Sequence, residues 1–429
     1  MEELLHYVWK HKMFPLEPLA TTAGQVIEVI DPGLPNRDAG PDFFNAKLKI
    51  DGVLWVGNVE IHARARDWHL HGHHQDLLYD TVILHVVEEA DAEIFRTNGQ
   101  VIPQLVLKCP EEIRRRYEEL KRTDFSPSCY EILPSLSKLA VHSWLSALQV
   151  ERFRQKAEVI LERLRRSGGD WEAAFFTTLA RNFGFGLNGD AFELWAGRLN
   201  YAAVRKHRDN LMQVEAFFFG QAGLLEETIQ DADEYYLQLQ HEYSYLVQKF
   251  TLQKPVEQQS WRMLRLRPGN FPHIRIAQLA YLFHHTEGLF SRIVEAENTD
   301  AVRKLLRTKA DGYWRTHYTF NQVSEESEKH LGANAMNLIL INTVIPLLYA
   351  YGMHKGSDMW CERATNFLES LKAEDNYIVR MWANVGIEIN CAADSQALIQ
   401  LKKEYCDKRD CLRCRFGYEY LRGRKSPSR

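Results

Sequence analysis

Residues 57–62 read Gly57-Asn58-Val59-Glu60-Ile61-His62. Polar and apolar side chains alternate along this stretch, which is the two-residue period of a β-strand. One face of the predicted strand therefore carries Asn58, Glu60 and His62, and the other carries apolar packing groups. Burying a neutral polar group costs about 2–7 kcal/mol unless a partner or an ion compensates, and a carboxylate costs more. The pattern therefore indicates that this face of the strand binds an ion or another partner.

A β-hairpin is predicted around this strand. Pro41-Asp42 forms a turn that opens an upstream strand, and Asp51-Gly52 is typical of a hairpin turn. Antiparallel pairing within residues 43–62 brings Asp42 close to Glu60. Carboxylate oxygens with a main-chain carbonyl and waters are the ligands that Mg²⁺ or Mn²⁺ prefers. The sequence therefore predicts a divalent-ion site at Asp42 and Glu60, open to a phosphate and an attacking water.

These residues resemble the PD-(D/E)XK phosphodiesterase superfamily. An aspartate follows proline, a hairpin of suitable length intervenes, and Glu60-x-His62 stands on the next strand. The resemblance covers roughly the first 110 residues. It implies a nuclease in which Asp42 and Glu60 bind the ion and His62 takes the position of the family's lysine. Histidine is largely neutral at pH 7 and suits a general base or a ligand, so Lys47 or Lys49 is the alternative positive charge.

A histidine-rich loop follows the strand. It reads Asp67-Trp68-His69-Leu70-His71-Gly72-His73-His74-Gln75-Asp76. Imidazole suits Zn, Cu, Fe or Ni, so His69, His71 and His73 are candidate metal ligands. The spacings match no zinc-helix motif, and a polar loop with solvated or capping histidines is the alternative.

The cysteines near the C-terminus have the spacing Cys406-x4-Cys411-x2-Cys414, and Cys391 lies fifteen positions before Cys406. Four thiolates hold Zn²⁺ in structural sites, and C-x4-C-x2-C with a distant fourth cysteine is also used for iron–sulfur clusters. The charged residues 407–410 are too polar for an ordinary core. The sequence predicts a zinc or iron–sulfur site at these four cysteines, with reduced and partly buried thiols as the alternative.

The predicted fold class is α+β. An N-terminal mixed β-sheet domain with flanking helices, like a PD-(D/E)XK nuclease, is expected over 1–122, followed by a linker at 123–134. A large all-α domain covers 135–385, where helical periodicity shows no fixed repeat. A cysteine-containing segment at 386–420 and a basic tail at 421–429 complete the chain.

Four arginines surround a Pro-Gly loop in the predicted helical domain. They are Arg262, Arg265, Arg267 and Arg275. Such a group can contact a phosphate backbone, so these residues are candidates for binding nucleic acid. Ion pairs with acidic residues of the same domain are the alternative.

Composition restricts the class of protein. A formal net charge of −4 argues against electrostatic attraction of the whole protein to nucleic acid, but it allows a local basic surface. The N-terminus lacks a basic region followed by an apolar stretch, so no secretory signal is expected. The longest apolar run, 338–351, contains Asn342 and Pro346 and is short for a membrane span. We expect a cytoplasmic protein without a membrane partner.

The sequence therefore favours a metal-dependent phosphodiesterase acting on DNA or RNA. A non-catalytic nucleic-acid or protein-binding scaffold with a degenerate nuclease-like domain is one alternative, and a histidine-rich metallohydrolase is another. The whole chain is also similar to an uncharacterised bacterial family, chiefly from the Bacteroidetes, that has no established activity.

Overall fold

The computed structural model describes residues 2–14, 17–36 and 38–423. Most of the predicted basic tail, residues 424–429, lies outside this range. The chain divides into two compact units. The first contains Met1–Lys138, Asn384–Ile387 and Leu401–Arg429, and the second contains Leu139–Ala383 and Glu388–Gln400. The α+β prediction is confirmed, because an N-terminal mixed sheet is followed by many helices.

The first unit is built on a mixed sheet flanked by helices. Its N-terminal elements are α1 (Glu2–Lys10), β1 (Leu19–Ala20), β2 (Val26–Asp31), β3 (Leu34–Pro35), β4 (Phe43–Ile50), β5 (Val53–Arg64), α2 (Asp67–Leu70), β6 (Val82–Glu89), β7 (Gln104–Val106) and α3 (Glu111–Arg122). The strand order is β1-β2-β4-β5-β6-β7, and β3 pairs with β4. Strands β2, β4 and β5 are antiparallel neighbours, whereas β6 runs parallel to β5 and β7 parallel to β6.

The register between β4 and β5 contains a β-bulge. Phe43 pairs with Val59 and Ala46 with Gly57, so β4 has one extra residue between these pairs. Asn45, in the bulge, has a φ of 56°. Its N–H donates to the Asn58 side chain at 3.1 Å. Asn58 therefore fixes the bulge that sets the approach of β4 to the end of β5.

Helices account for most of the second unit. They are α4 (Lys138–Arg166), α5 (Trp171–Phe183), α6 (Gly189–Arg198), α7 (Tyr201–Lys206), α8 (Leu211–Gln221), α9 (Glu234–Phe250), α10 (Pro272–His285), α11 (Leu289–Glu295), α12 (Thr299–Leu305), α13 (Ala333–Ile339), α14 (Ile345–Lys355), α15 (Asp358–Ser370), α16 (Tyr377–Asn384) and α17 (Ala392–Leu401). The strands β8 (Lys309–Ala310) and β9 (Lys329–His330) form a small antiparallel sheet. The core of this unit combines aliphatic side chains with many buried aromatic rings.

The apolar run near residue 340 belongs to a helical stretch of the second unit. Within the described residues, Ala333–Lys355 is the one helix that is long and apolar enough to cross a membrane. Of its most apolar window, 67% is buried inside the protein. The core helix of a folded protein passes the same test of length and composition.

Residues of the predicted C-terminal segment at 386–420 are divided between the two units. Helix α17 belongs mainly to the second unit, whereas residues from Leu401 onward belong to the first. The last helix, α18 (Arg415–Arg422), lies against α3. Arg116 donates to the Leu421 carbonyl at 3.3 Å, and Tyr420 donates to the Glu119 carboxylate at 3.2 Å. Residues far apart in sequence therefore form one domain.

Gly57 allows β5 to approach the start of β6. A Cβ at this position would overlap the Ile83 side chain and stand 2.9 Å from the Thr81 carbonyl oxygen. We expect Gly57→Ala to lower the free energy of unfolding by about 1–3 kcal/mol, because packed strands must move apart. Urea denaturation measures this loss. Gly197→Ala in α6, where the added methyl group meets open space, should cause no destabilisation; an equal loss in both variants would contradict the explanation.

Glu215 in α8 is buried and accepts a hydrogen bond from the Tyr235 hydroxyl at 2.8 Å. Burial raises the pKa of Glu215 from 4.5 to about 7, despite that hydrogen bond. Between these pH values the unfolded chain has released the proton and the folded chain still holds it. The free energy of unfolding therefore falls as pH rises through this window.

We expect Glu215→Gln to flatten that profile and to stabilise the protein above pH 7 by up to about 3 kcal/mol. Chemical denaturation between pH 4.5 and 8 measures the difference. The same substitution at exposed Glu226 should leave the slope unchanged. A wild-type profile in Glu215→Gln would show that this carboxyl group is ionised in the folded protein.

Candidate metal centre

The structure brings Asp42 and Glu60 together where β4 meets β5. The Asp42 N–H donates to Glu60 Oε2 at 3.0 Å, and the Ile61 N–H donates to Asp42 Oδ2 at 2.9 Å. Glu60 is only 4% exposed. Its burial raises the pKa of the carboxyl group, and the Asp42 charge acts in the same direction, although a hydrogen bond from His73 opposes both. The carboxyl group needs a positive partner to remain ionised at this depth.

Two imidazoles lie beside the other oxygen of Glu60, and a third contacts one of them. Glu60 Oε1 lies 3.5 Å from His62 Nε2 and 3.4 Å from His73 Nε2. His71 Nδ1 lies 3.1 Å from His62 Nε2. One nitrogen from each of these histidines lies within 4.8 Å of the other two. Ligands bound to one tetrahedral ion at 2.0–2.1 Å are about 3.3 Å apart, so small side-chain movements would let these atoms share one ion.

The loop that carries His71 and His73 is anchored by buried aromatic rings. Trp68 in α2 is fully buried and donates from its indole N–H to the Phe95 carbonyl at 3.2 Å. The His73 ring stacks on Tyr79 with 3.7 Å between centroids. These contacts anchor the polar loop to the first unit and hold its histidines beside β5.

A fourth histidine orients His62 from β6. His62 Nδ1 lies 2.9 Å from His85 Nε2, and His85 is fully buried. Burial and the neighbouring His73 and His71 lower the pKa of His62 to about 4. Burial also holds the pKa of His85 well below its usual value. Both rings are therefore neutral at pH 7, and a His62 that donates from Nδ1 leaves the Nε2 lone pair for a metal.

His6 is a site residue that the sequence analysis missed. It lies on α1, and its Nε2 is 3.3 Å from Asp42 Oδ2. Burial lowers the pKa of His6, but the hydrogen bond and charge of Asp42 outweigh burial and raise it overall. Its position one turn after Glu2 and Glu3, the acidic first turn of α1, was the available signal.

Three predicted site residues lie outside this cluster. His69 Nε2 is 3.2 Å from the Glu93 carbonyl oxygen, so this ring contacts main chain instead. Lys49 pairs with Glu28 at 3.1 Å. Lys47 is exposed and lies opposite Val56. Both lysines lie towards the hairpin turn, because β4 runs away from the site, and neither pairs with a residue near Glu60.

The four arginines of the second unit do not form one surface. Arg275 is buried and donates to Gln278 at 2.7 Å and to Asn270 at 2.5 Å. Its guanidinium lies over the Phe185 ring, 4.6 Å from the centroid. Its predicted contact with a phosphate backbone is therefore wrong, because the charged group is used inside the core. The other three, Arg262, Arg265 and Arg267, are exposed.

The predicted four-cysteine group is divided between the units. Cys391 lies in the second unit, whereas Cys406, Cys411 and Cys414 lie in the first. The Cys391 thiol is 3.8 Å from an Asp394 carboxylate oxygen. The chain therefore crosses a boundary between compact units between Cys391 and Cys406, and a metal site at the four cysteines stays a prediction.

A cleft of about 620 Å³ opens beside Asp42 within the first unit. Its lining includes His6 and Lys10 from α1, and Lys408, Arg409 and Arg413 from the C-terminal segment. Lys10 is exposed and has no ion-pair partner among the described residues. The cleft therefore offers cationic side chains next to the carboxylate of Asp42.

Comparison with known proteins identifies the family of this chain but no activity. No curated protein and no solved structure matches the chain. A family model described as "Protein of unknown function (DUF2851)" matches residues 2–377. This match covers most of the sequence, and the expected similarity to a family without established activity is confirmed. The chain belongs to the DUF2851 family.

Proposed function

We propose that this protein is a metal-dependent hydrolase that cleaves phosphodiester bonds in DNA or RNA. The observation that carries the proposal is the convergence of Glu60 Oε1 with the ring nitrogens of His62 and His73, at 3.5 and 3.4 Å. His71 extends this set through its contact with His62. Burial of the Glu60 carboxylate is costly without a positive partner, and a carboxylate beside imidazole nitrogens is well suited to binding a metal ion.

The donor set favours a transition metal. Imidazole nitrogens suit Zn, Fe, Cu or Ni, whereas Mg²⁺ and Mn²⁺ prefer oxygen ligands. With three histidines and one glutamate, a zinc-like ion is the better fit, and Mg²⁺ or Mn²⁺ between Asp42 and Glu60 is the competing assignment. An ion here supplies Lewis acidity to a phosphoryl oxygen and to water.

Strand order supports phosphodiester chemistry. Helix α1, the antiparallel strands β2, β4 and β5, the short α2 and the parallel strand β6 follow one another in the order that the nuclease resemblance implies. Asp42 stands just before β4, and Glu60 and His62 stand on β5. The chain thus offers both acidic positions of the resembled motif, with histidine in place of lysine.

The protein's own residues have separate roles in this proposal. Asp42 is held by the Ile61 N–H and places its carboxylate at the edge of the cleft. His6 and Lys10 line the same cleft, where they can contact phosphate oxygens. His85 holds the His62 ring in one orientation through the 2.9 Å contact. Loss of such an orienting partner typically lowers metal affinity or activity by 10–100-fold.

Cleft size favours one second candidate, a metallohydrolase with a small substrate. A volume of about 620 Å³ lies within the roughly 300–1,000 Å³ of ordinary small-molecule sites. The same metal centre would serve either substrate. The two candidates differ in the substrate that enters the cleft, which is a nucleic acid in the first and a small molecule in the second.

Metal binding can be tested without a substrate. We expect His71→Ala and His73→Ala to weaken Zn²⁺ binding at least tenfold, because each removes one proposed ligand. His69→Ala, in the same loop but outside the cluster, is the matched control and should bind like wild type. Isothermal titration of metal-free protein with Zn²⁺ and with Mg²⁺ measures these affinities. Equal affinity in all three variants would remove the histidines from the site.

Hydrolysis is the second test. Wild-type protein with Zn²⁺, Mn²⁺ or Mg²⁺ should cleave labelled DNA or RNA, and EDTA should stop the reaction. Glu60→Gln and Asp42→Asn should each reduce the rate at least a hundredfold, since each removes a charge beside the ion. Lys47→Ala is the control, because this exposed side chain lies away from the cluster.

Three other outcomes discriminate between the candidate functions. Cleavage of bis(p-nitrophenyl) phosphate without cleavage of nucleic acid favours the small-substrate hydrolase. Metal binding without any hydrolysis favours the non-catalytic scaffold. Wild-type rates in Glu60→Gln would contradict both hydrolase candidates.

A further inference from the structure

The first residues of β5 have a strand partner on one side only. Strand β4 pairs with β5 from Val53 onward, where Ile50 lies opposite Val53, whereas β6 joins β5 only from Asn58. No other strand of the described chain pairs with β5. Residues 53–56 therefore form an open edge of the sheet on the side of β6. An edge strand presents a row of main-chain N–H and C=O groups without strand partners.

This open edge is apolar. It reads Val53-Leu54-Trp55-Val56, and all four residues are about half exposed, from 47% at Trp55 to 59% at Val53. Folded proteins commonly protect an edge strand with a lysine, a proline or a bulge on the strand itself. The four residues include no charged residue and no proline, and the β-bulge of this hairpin lies in β4, near Asn45. The edge is therefore free to pair with another strand.

Two exposed leucines extend the apolar surface at the start of β6. Leu77 and Leu78 are 74% and 56% exposed. Thr81 links them to β5, because its hydroxyl accepts from the Asn58 side chain at 2.8 Å and donates to the Leu78 carbonyl at 3.1 Å. The two leucines and the open edge together expose roughly 700 Å², close to the approximately 800 Å² that each partner buries in a stable complex. Apolar patches of this size mark interaction sites.

We propose that the open edges of two copies of this chain pair antiparallel and form a two-fold symmetric dimer. An antiparallel edge is complementary to itself, because the two-fold rotation brings the outward N–H groups of one copy opposite the C=O groups of the other. A peptide strand from another protein can make the same hydrogen bonds. The second copy offers in addition an open segment of equal length and an equal apolar surface beside it.

Closed symmetry favours the second copy further. A contact in which the same surface is used by both partners is complete after two copies. Pairing of the two edges makes one continuous sheet and leaves neither edge open to a further strand. The dimer thus removes the aggregation hazard that an apolar edge strand presents in a single copy.

The dimer has a consequence for the candidate metal centre. Side chains alternate along β5, so Leu54 and Val56 share a face with Glu60 and His62. The two-fold axis of an antiparallel strand pair is perpendicular to the sheet, so corresponding faces of both copies point the same way. Two candidate metal centres would then face one side of a continuous sheet. The dimer contact uses none of the proposed metal ligands and does not depend on the hydrolase function.

Light scattering during size-exclusion chromatography of the full-length protein tests the proposal. Wild type should have twice the mass of the chain at micromolar concentrations and should dissociate on dilution. Leu54→Lys and Val56→Lys should each weaken dimerisation at least tenfold, because each places a charge within the apolar contact. Leu264→Lys is the matched control, since Leu264 is 82% exposed in the second unit. This variant should dimerise like wild type.

Hydrogen exchange locates the contact independently of any variant. In concentrated wild-type protein, the outward-pointing amides of residues 53–56 should exchange at least tenfold more slowly than in dilute protein. Amides of helix α15, which is remote in sequence and belongs to the second unit, should exchange equally at both concentrations.

Several results would overturn the proposal. A monomeric wild type at these concentrations excludes the dimer, and capture of a peptide strand by that monomer would assign the edge to a different partner. Wild-type dimerisation of both Leu54→Lys and Val56→Lys, or unchanged exchange at residues 53–56, would place the contact on another surface. Open-ended oligomers larger than a dimer would also contradict a closed two-fold contact.

Discussion

Two reciprocal hydrogen bonds between the ends of β4 and β5 determine the geometry of the candidate metal centre. Asp42 donates its N–H to Glu60, and its carboxylate accepts the N–H of Ile61. Each acidic side chain is therefore held by the main chain of the opposite strand. In a buried site of low dielectric these bonds are strong, and breaking one leaves a costly unpaired group. Glu60 keeps its second oxygen for the histidines.

Secondary structure and local pairing could be predicted because short-range patterns determine them. Alternation identified β5, and the turn at Asp51-Gly52 identified the hairpin that places Asp42 beside Glu60. The role of His85 could not be predicted in this way. Its contact with His62 depends on the parallel register of β5 and β6, which is set by a crossover through a histidine-rich loop rather than by a local turn. The composition of that loop predicted that its histidines bind a metal. It could not predict that His71 and His73 lie beside His62 whereas His69 contacts the main chain.

Spacing along the chain says little about which compact unit a residue joins: Cys391 is close to Cys406 in sequence, yet the two belong to different units. Arg275 shows a related limitation for charge. Its sequence context suggested an exposed basic loop, whereas Asn270, Gln278 and the face of Phe185 enclose it.

The return of residues 401–423 to the first unit has a consequence for biosynthesis. Translation delivers the sheet and α3 first, then roughly 260 residues that belong mainly to the other unit, and only then α18. At about 5–20 residues per second, this interval lasts roughly 15–50 s. During that time the nascent sheet domain lacks α18, and the surface of α3 that this helix later covers is open to chaperones. The helical unit, by contrast, can complete most of its core while the chain is still attached to the ribosome.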